Sequence, residues 1–249
     1  MPERRPRGPR FAGPGPRLRA VITDIDGTLT GPDRVLDPAA VALLRHLDHR
    51  GVHIVLATGN VLPVALAIHR SLGLRGPIVS ENGGLVYRKV DGGDRIERLA
   101  DRRPAWAAFR QARASGLPVR RLFTDRWRET EVALEPNVPP SAIVRAIRGH
   151  RVDVESTGFA VHLMERGHGK RTAVAGVLES LGIGWDECLA AGDGDNDVGM
   201  LTAAGWSVSF PNGSRRARSA ASYVASAGYA RGFVEALKER SAVARSWAP

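Results

Sequence analysis

Two aspartates one residue apart follow the first apolar run of the chain. The stretch "AVITDIDGTLTG" spans residues 20–31, so Asp24 and Asp26 come where a buried strand is expected to end. Side chains alternate between the two faces of a strand, so both carboxylates are expected to point the same way. A D-x-D pair alone more often caps or solvates a loop. Carboxylates crowded at one strand end repel each other unless a cation offsets them, so the pair raises the question of a cation site.

A hydroxyl, a glycine and a lysine follow at other points of the chain. The second apolar run, "VHIVLATG", ends with Thr58, a hydroxyl donor, and with Gly59, where the backbone can lie close to a ligand. Lys170 stands just before the helical pattern "KRTAVAGVLESLG". An ammonium and a hydroxyl are suitable donors for the oxygens of a phosphate group. If they meet the acids at one sheet edge, these residues predict a phosphate site.

A second group of acids lies in "AAGDGDND", which contains Asp193, Asp195, Asn196 and Asp197. The spacing is similar to part of a calcium-binding EF-hand loop, but Val198 stands where that loop has glycine, and its final glutamate is missing. Carboxylate oxygens suit Mg²⁺, which is typically shared between a protein and a phosphate. The cluster therefore predicts a Mg²⁺ site beside the phosphate, with Asp195 left as a solvated loop residue.

Alternating strand and helix patterns surround these residues. From Leu18 onward the pattern is typical of an α/β fold with a parallel sheet, whose carboxyl edge binds ligands. Between residues 85 and 163 the pattern changes to helices and three hairpins. The hairpins are "GLVYRKVDGGDRIERLA", "RLFTDR" with "RETEVALE", and "RVDVES" with "GFAVHLM". This change predicts an inserted α+β domain with an antiparallel sheet.

The motifs "DIDGTLT", "ATGN", "GK" and "GDGDND", in this order, resemble the signature of the haloacid dehalogenase (HAD) superfamily of phosphohydrolases. The resemblance implies a Rossmann-like HAD core with a parallel sheet, formed by residues 18–84 and 164–240. Residues 85–163 then fall at the position of the C2-type cap of the Cof-like branch, which "VSENGG" also resembles. The stretches "TEVALE", "GFAVHLM" and "GFVEALKE" look most like the archaeal-type phosphoglycolate phosphatases.

The resemblance implies a two-step phosphatase mechanism. Asp24 would attack phosphorus and form an aspartyl-phosphate, while Asp26 would protonate the leaving group and then activate water. The residues implied to hold the phosphate are Thr58, Gly59, Lys170 and Asn196. The residues implied to bind Mg²⁺ are Asp24, Asp26 (through its backbone carbonyl), Asp193 and Asp197 (directly or through water). The expected substrate is a small phosphate monoester, with 2-phosphoglycolate as the first candidate.

Substrate choice is expected to depend on the inserted domain. If the leaving group carries a carboxylate, a cation from that domain should meet it, and Arg121, Arg126 and Arg128 are candidates. Asn82 either contacts substrate or stabilises a turn. Arg171 stands where the archaeal-type family commonly has glycine, which leaves the substrate open. A sugar-phosphate phosphatase of the Cof-like branch and a nucleic-acid-binding scaffold are the alternatives.

The charge distribution argues against nucleic acid as the main partner. The formal net charge is +10, but residues 1–19 contribute six arginines and one glutamate, hence +5. Residues 1–17 are rich in proline and glycine and are predicted to be a disordered basic tail. No aromatic residues interleave with a basic stripe elsewhere, as they do in single-strand binders. A small-molecule phosphate ester is therefore the expected partner.

The remaining composition is ordinary for a soluble globular protein. No apolar run approaches the roughly 20 residues that span a bilayer, so no membrane association is expected. The single cysteine, Cys188, permits no internal disulfide, which fits a reducing cytoplasm, and it is predicted to fill space in the core. The sequence leaves the oligomeric state open, a homodimer included.

Overall fold

The computed structural model describes residues 18–157 and 159–239, so the predicted basic tail lies outside the described residues. The strands of the described part are β1 (Ala20–Thr23), β2 (His53–Ala57), β3 (Ile78–Ser80), β4 (Leu85–Val90), β5 (Gly93–Arg98), β6 (Glu131–Leu134), β7 (Val152–Ser156), β8 (Val161–Glu165), β9 (Cys188–Ala191), β10 (Trp206–Ser209) and β11 (Tyr223–Val224). Its α-helices are α1 (Pro38–His49), α2 (Leu62–Leu72), α3 (Arg102–Ala114), α4 (Pro140–Ala146), α5 (Lys170–Leu181), α6 (Val198–Ala203), α7 (Arg215–Ala220) and α8 (Tyr229–Glu239).

A large sheet with the strand order β11-β10-β9-β1-β2-β3-β4-β5 forms the core of the fold. The strands from β11 to β3 run parallel, whereas β4 and β5 are antiparallel. Apolar side chains are buried on both of its faces, where α1, α2 and α8 pack on one side and α5, α6 and α7 on the other. The predicted α/β class with a mainly parallel sheet is confirmed.

The register of the three central strands explains why the predicted site residues meet. Thr23, the last residue of β1, lies opposite Leu56 of β2 and Ala191 of β9. The three strands therefore end at nearly the same level of the sheet. Asp24 follows directly, and Thr58 and Asp193 come within two residues of the paired positions, so their side chains share one edge.

Helix α1 forms the crossover between β1 and β2 and begins at a side-chain cap. The Asp37 side chain caps it by accepting hydrogen bonds from the backbone N–H groups of Ala39 and Ala40, at 2.8 and 3.2 Å. Leu44 and Leu47 are buried against the sheet. The cap and the apolar face together fix where the chain leaves the β1 loop and returns to β2.

The hairpin of β4 and β5 belongs to the large sheet, although the sequence analysis groups it with the inserted domain. Leu85 pairs with Ser80 of β3, and β4 pairs with β5 over its full length. A hairpin pattern reports local pairing only and does not specify which sheet the hairpin joins. Here the turn at Glu81–Gly83 folds β4 back onto β3, so the hairpin extends the core sheet.

A separate three-stranded antiparallel sheet, with the order β6-β8-β7, lies between the two parts of the core sequence. Helices α3 and α4 pack on it through Phe109, Ile143 and other buried apolar residues. The predicted α+β insertion and its β7–β8 hairpin are confirmed. The predicted strand "RLFTDR" is wrong, because residues Phe123–Trp127 form a 3-10 helix. Asp125 stabilises this turn by accepting hydrogen bonds from Arg102, Arg121 and the backbone of Ala133.

Cys188 is buried at the start of β9, between β1 and β10. Its Sγ lies 3.1 Å from the carbonyl oxygen of Gly184. Burial raises the pKa of the Cys188 thiol to about 12. The prediction that this cysteine fills space in the core is confirmed.

Among residues 18–157 and 159–239, every helix is too short or too polar to cross a bilayer.

Candidate active site

Three aspartates and one lysine meet at the carboxyl edge of the large sheet. Lys170 Nζ donates hydrogen bonds to Asp24 Oδ1 and to Asp197 Oδ1, each at 2.7 Å. Asp24, Asp193 and Asp197 each present a carboxylate oxygen, and these atoms all lie within 4.8 Å of one another. Asp24 and Lys170 are 146 positions apart in sequence, so the fold alone brings them together.

Lys170 is the first residue of α5 and is buried, with 2% of the residue exposed. Burial opposes its charged form, but the carboxylates of Asp197 and Asp24 outweigh burial and raise the pKa of Lys170 above its usual range. Gly83 permits this placement, because a side chain there would collide with the carbonyl oxygen of Gly169. Its φ of +102° is also one that side chains rarely adopt. The lysine is thus a fixed cation between two acids.

The carboxylates are more crowded than one lysine can neutralise. Burial raises the pKa of Asp24 well above its ordinary value, and Asp197 and Asp193 add to this effect while Lys170 opposes it. Burial and the charge of Asp197 raise the pKa of Asp193 to about 7. A divalent cation bound among these oxygens would offset the repulsion. The donor set is oxygen only, which is the set that Mg²⁺ prefers, so the residues fit the predicted metal.

Asp197 also organises the acidic loop. Its Oδ2 accepts hydrogen bonds from the backbone N–H groups of Asp193 and Gly194, at 3.0 and 2.8 Å. Since Oδ1 is bound by Lys170, both oxygens already have partners. The sequence leaves open whether Asp197 would bind a metal directly or through water. Because both of its oxygens have partners, this arrangement favours contact through water.

The loop after β1 is shaped to fit against Asp193. Gly27 has a φ of +81°, and a side chain there would collide with the Asp193 carboxylate. Thr28 Oγ1 donates to Asp193 Oδ1 at 3.2 Å. Asp26 lies on the same loop, half-buried, with its Oδ2 3.5 Å from Asn60 Nδ2. The first and fourth motifs are therefore in direct contact.

A cavity of about 260 Å³ opens beside the acids. The predicted site residues that line it are Asp24, Asp26, Thr58, Gly59, Asp193 and Asn196. The inserted domain contributes Leu122, Phe123, Thr124, Arg128, Thr157, Phe159, Ala160 and His162. Of the candidate arginines Arg121, Arg126 and Arg128, only Arg128 is among the described residues that line this cavity.

A buried polar cluster that the sequence patterns do not indicate lies on the inserted-domain side of the cavity. Glu131 pairs with Arg128 through a short contact, and its Oε1 lies 3.0 Å from His162 Nδ1. Burial opposes the ionisation of Glu131, but the charges of His162 and Arg128 outweigh burial and lower the pKa of Glu131 to about 2. Only Arg128 had been noted in the sequence. The other two residues lie in alternating strand patterns, which carry no signal of a buried ion pair.

Asn82 connects this cluster to the acidic loop. Its Nδ2 donates to Glu131 Oε2 at 3.0 Å, and its Oδ1 accepts from Asn196 Nδ2 at 2.9 Å. The sequence leaves two roles open for Asn82, a turn residue or a substrate contact. The geometry adds a third role, because Asn82 connects the inserted domain to the acidic loop. Asn196, which lines the cavity, is held by its hydrogen bond to Asn82.

Glu81, in the turn between β3 and β4, contacts the inserted domain. Its carboxylate accepts hydrogen bonds from the backbone N–H groups of Glu129 and Thr130 and from Thr130 Oγ1, the last at 2.6 Å. Glu81 adopts a positive φ of 49°, which is uncommon for a residue with a long side chain. These hydrogen bonds offset the cost of that conformation and hold the inserted domain against the core.

The fold and this site define a hydrolase of the haloacid dehalogenase type. Residues 21–102 and 141–237 match the family model described as haloacid dehalogenase-like hydrolase, which covers more than half of the chain. The chain therefore belongs to this family. The predictions of the family and of a phosphatase of its superfamily are confirmed.

Similar proteins extend over nearly the whole chain. A phosphoglycolate phosphatase of Methanothermobacter thermautotrophicus is 35% identical over 221 residues, which cover 89% of this chain and 98% of the relative. One of Methanopyrus kandleri is 37% identical over 225 residues and covers 88% and 95%. The crystal structure of Thermoplasma acidophilum 0175 superposes with a TM-score of 0.82 at 24% identity, covering 91% and 99%.

Proposed function

We propose that this chain is a Mg²⁺-dependent phosphatase that hydrolyses 2-phosphoglycolate to glycolate and phosphate. The observation that carries the proposal is the contact of Lys170 Nζ with Asp24 and Asp197, beside Asp193. Of these residues, Asp24 and Asp193 line a small cavity. The similarity to relatives named phosphoglycolate phosphatase supports the choice of substrate.

In the proposed mechanism Asp24 attacks phosphorus and forms an aspartyl-phosphate, which divides one difficult displacement into two steps. Lys170 fixes the orientation of the Asp24 carboxylate by binding its Oδ1. Asp26 protonates the leaving oxygen and then takes a proton from the attacking water, for which its half-buried position gives access. Thr58, which lines the cavity, donates its hydroxyl to the phosphate.

Asp24, Asp193 and the backbone carbonyl of Asp26 would hold Mg²⁺, with Asp197 acting through water. When bound, the ion would offset negative charge on the nucleophile and on the phosphate. The backbone at Gly59, in the second motif, and Asn196, in the fourth motif, complete the phosphate site, since both residues line the cavity.

We propose further that the β6-β8-β7 sheet with α3 and α4 acts as the cap. The cavity of about 260 Å³ lies at or below the roughly 300–1,000 Å³ typical of ligand pockets, which suits a two-carbon substrate better than a sugar phosphate. A cytoplasmic location and a small phosphate ester as the partner remain part of this proposal.

The test is hydrolysis of about twenty small phosphate esters with Mg²⁺, by the wild type and by Asp24→Asn. We expect 2-phosphoglycolate to be the best substrate and the variant to have no measurable turnover. Asp33→Asn, an exposed change on the same loop, is the matched control and should keep wild-type activity. Turnover of Asp24→Asn within about tenfold of wild type would overturn the mechanism. A better substrate without a carboxylate would overturn the choice of 2-phosphoglycolate.

A further inference from the structure

Arg128 lies where the inserted domain meets the proposed phosphate site. It follows the 3-10 helix of Phe123–Trp127 and lines the cavity, although only 5% of the residue is exposed. Its Nη1 donates to the backbone carbonyl of Gly59 at 2.9 Å. Gly59 follows Thr58 directly, so the guanidinium is adjacent to the turn that we propose holds the phosphate.

The guanidinium is held in one orientation before any ligand binds. Glu131 engages Nη1, and Glu131 is itself held by His162 Nδ1 and by Asn82 Nδ2, each at 3.0 Å. His162 Nε2 lies 3.2 Å from Thr157 Oγ1, which completes the cluster. A cation fixed in this way loses little conformational freedom when it binds an anion.

Arg128 nevertheless has donors without acceptors. Its Nε is buried and has no hydrogen-bond partner among the residues that the structure describes, and Nη2 donates to none of them either. A buried N–H group without an acceptor is unfavourable. The two oxygens of a carboxylate match the Nε and Nη2 edge of a guanidinium, so a carboxylate would satisfy both groups at once.

The other candidate cations are engaged elsewhere. Arg121 pairs with Asp125 and lies over the Trp106 ring, and Arg126 lies over the ring of Phe123. Lys170 is held by two acids. Arg34 lines the cavity but is exposed, and its guanidinium lies 4.5 Å from the centre of the Phe159 ring. Arg128 is therefore the buried cation best placed for a second anionic group.

We propose that Arg128 binds the carboxylate of the substrate and so sets a preference for small phosphate esters that carry a carboxylate near the phosphate. The inference rests on the proposed function, since it takes the phosphate to lie at Asp24 and Thr58. Glu131 acts as a positioning residue in this arrangement, because it contacts Arg128 and would not touch the substrate.

The experiment compares kcat/KM for 2-phosphoglycolate with that for ethyl phosphate, which has a methyl group in place of the carboxylate. We expect the ratio to fall about 100-fold in Arg128→Gln, because an unpaired carboxylate is then left in the site. Arg128→Lys keeps the charge but loses the planar fork, so its ratio should also fall. Arg126→Gln is the matched control, since it removes a neighbouring charge that does not line the cavity, and it should keep the wild-type ratio.

A second measurement uses glycolate as an inhibitor of ethyl phosphate hydrolysis. Its inhibition constant should rise in both Arg128 variants and stay unchanged in Arg126→Gln.

A role for Arg128 in folding alone would reduce turnover of both esters equally, and an unchanged ratio in the Arg128→Lys variant would overturn the inference. If the wild type hydrolyses both esters equally well, the phosphatase chemistry stands and the assignment of Arg128 fails. If it hydrolyses neither, the proposed function fails as well.

Discussion

Glu131 offers a quantitative test of the buried cluster. The pKa of this carboxyl falls from 4.5 to about 2 in the folded protein, with 1% of the residue exposed. Each pKa unit corresponds to about 1.4 kcal/mol, so ionisation of Glu131 stabilises the fold by about 3 kcal/mol at pH 7. Because the folded pKa is lowered, this stabilisation is present above pH 4.5 and is lost as the pH falls toward 2. About 1 kcal/mol of it should already be lost at pH 3.5.

The change Glu131→Gln keeps the shape of the side chain and removes its charge. We expect the free energy of unfolding to drop by about 3 kcal/mol at pH 7, and the difference from wild type to shrink at pH 3.5. Urea denaturation followed by circular dichroism measures both values. The control is Glu129→Gln, because Glu129 is exposed and pairs with Arg98 at the surface, where loss of an ion pair costs at most about 1 kcal/mol. Equal urea midpoints for wild type and Glu131→Gln at pH 7 would refute the reasoning, as would a difference that does not shrink in acid.

Three further predictions concern the reaction. Lys170→Met removes the charge between Asp24 and Asp197, and turnover should fall by at least about 10²–10³-fold; a loss below tenfold in a steady-state assay would contradict this role. Chelation with EDTA should abolish activity and excess Mg²⁺ should restore it, whereas full activity after exhaustive chelation would exclude the proposed metal. Phe159→Ala removes the ring under Arg34, a contact worth about 0.5–1 kcal/mol, so KM should rise roughly two- to fivefold with little change in kcat. An unchanged KM would show that this contact does not contribute to substrate binding.

The meeting of the candidate site residues at one sheet edge could be predicted from the sequence, because short local motifs carry the signal. Three of the four motifs combine an apolar run with polar residues at its end, and the parallel register of β1, β2 and β9 places those ends together. The fourth residue, Lys170, is instead placed by the start of α5. Asp24, Thr58, Lys170 and Asp193 were accordingly all expected at one edge, and the structure places them there.

The substrate side could not be predicted in the same way. The buried cluster joins Asn82, Arg128, Glu131 and His162, and its members become neighbours only through the packing of the inserted domain on the core. Arginine and glutamate in a hairpin pattern normally face solvent, so their types suggest exposure. The hairpin of β4 and β5 shows the same limit, because its pattern is equally compatible with either sheet.

Chemical modification of the buried thiol of Cys188 can be used to measure unfolding of the protein. The thiolate is the reactive form, and a pKa of about 12 leaves almost none of it in the native state at neutral pH. Because the chain has a single cysteine, any covalent labelling must follow an opening that exposes β9 at the centre of the large sheet. The rate of thiol modification therefore measures how often the core opens, without any added probe, and can follow the same variants whose turnover is assayed.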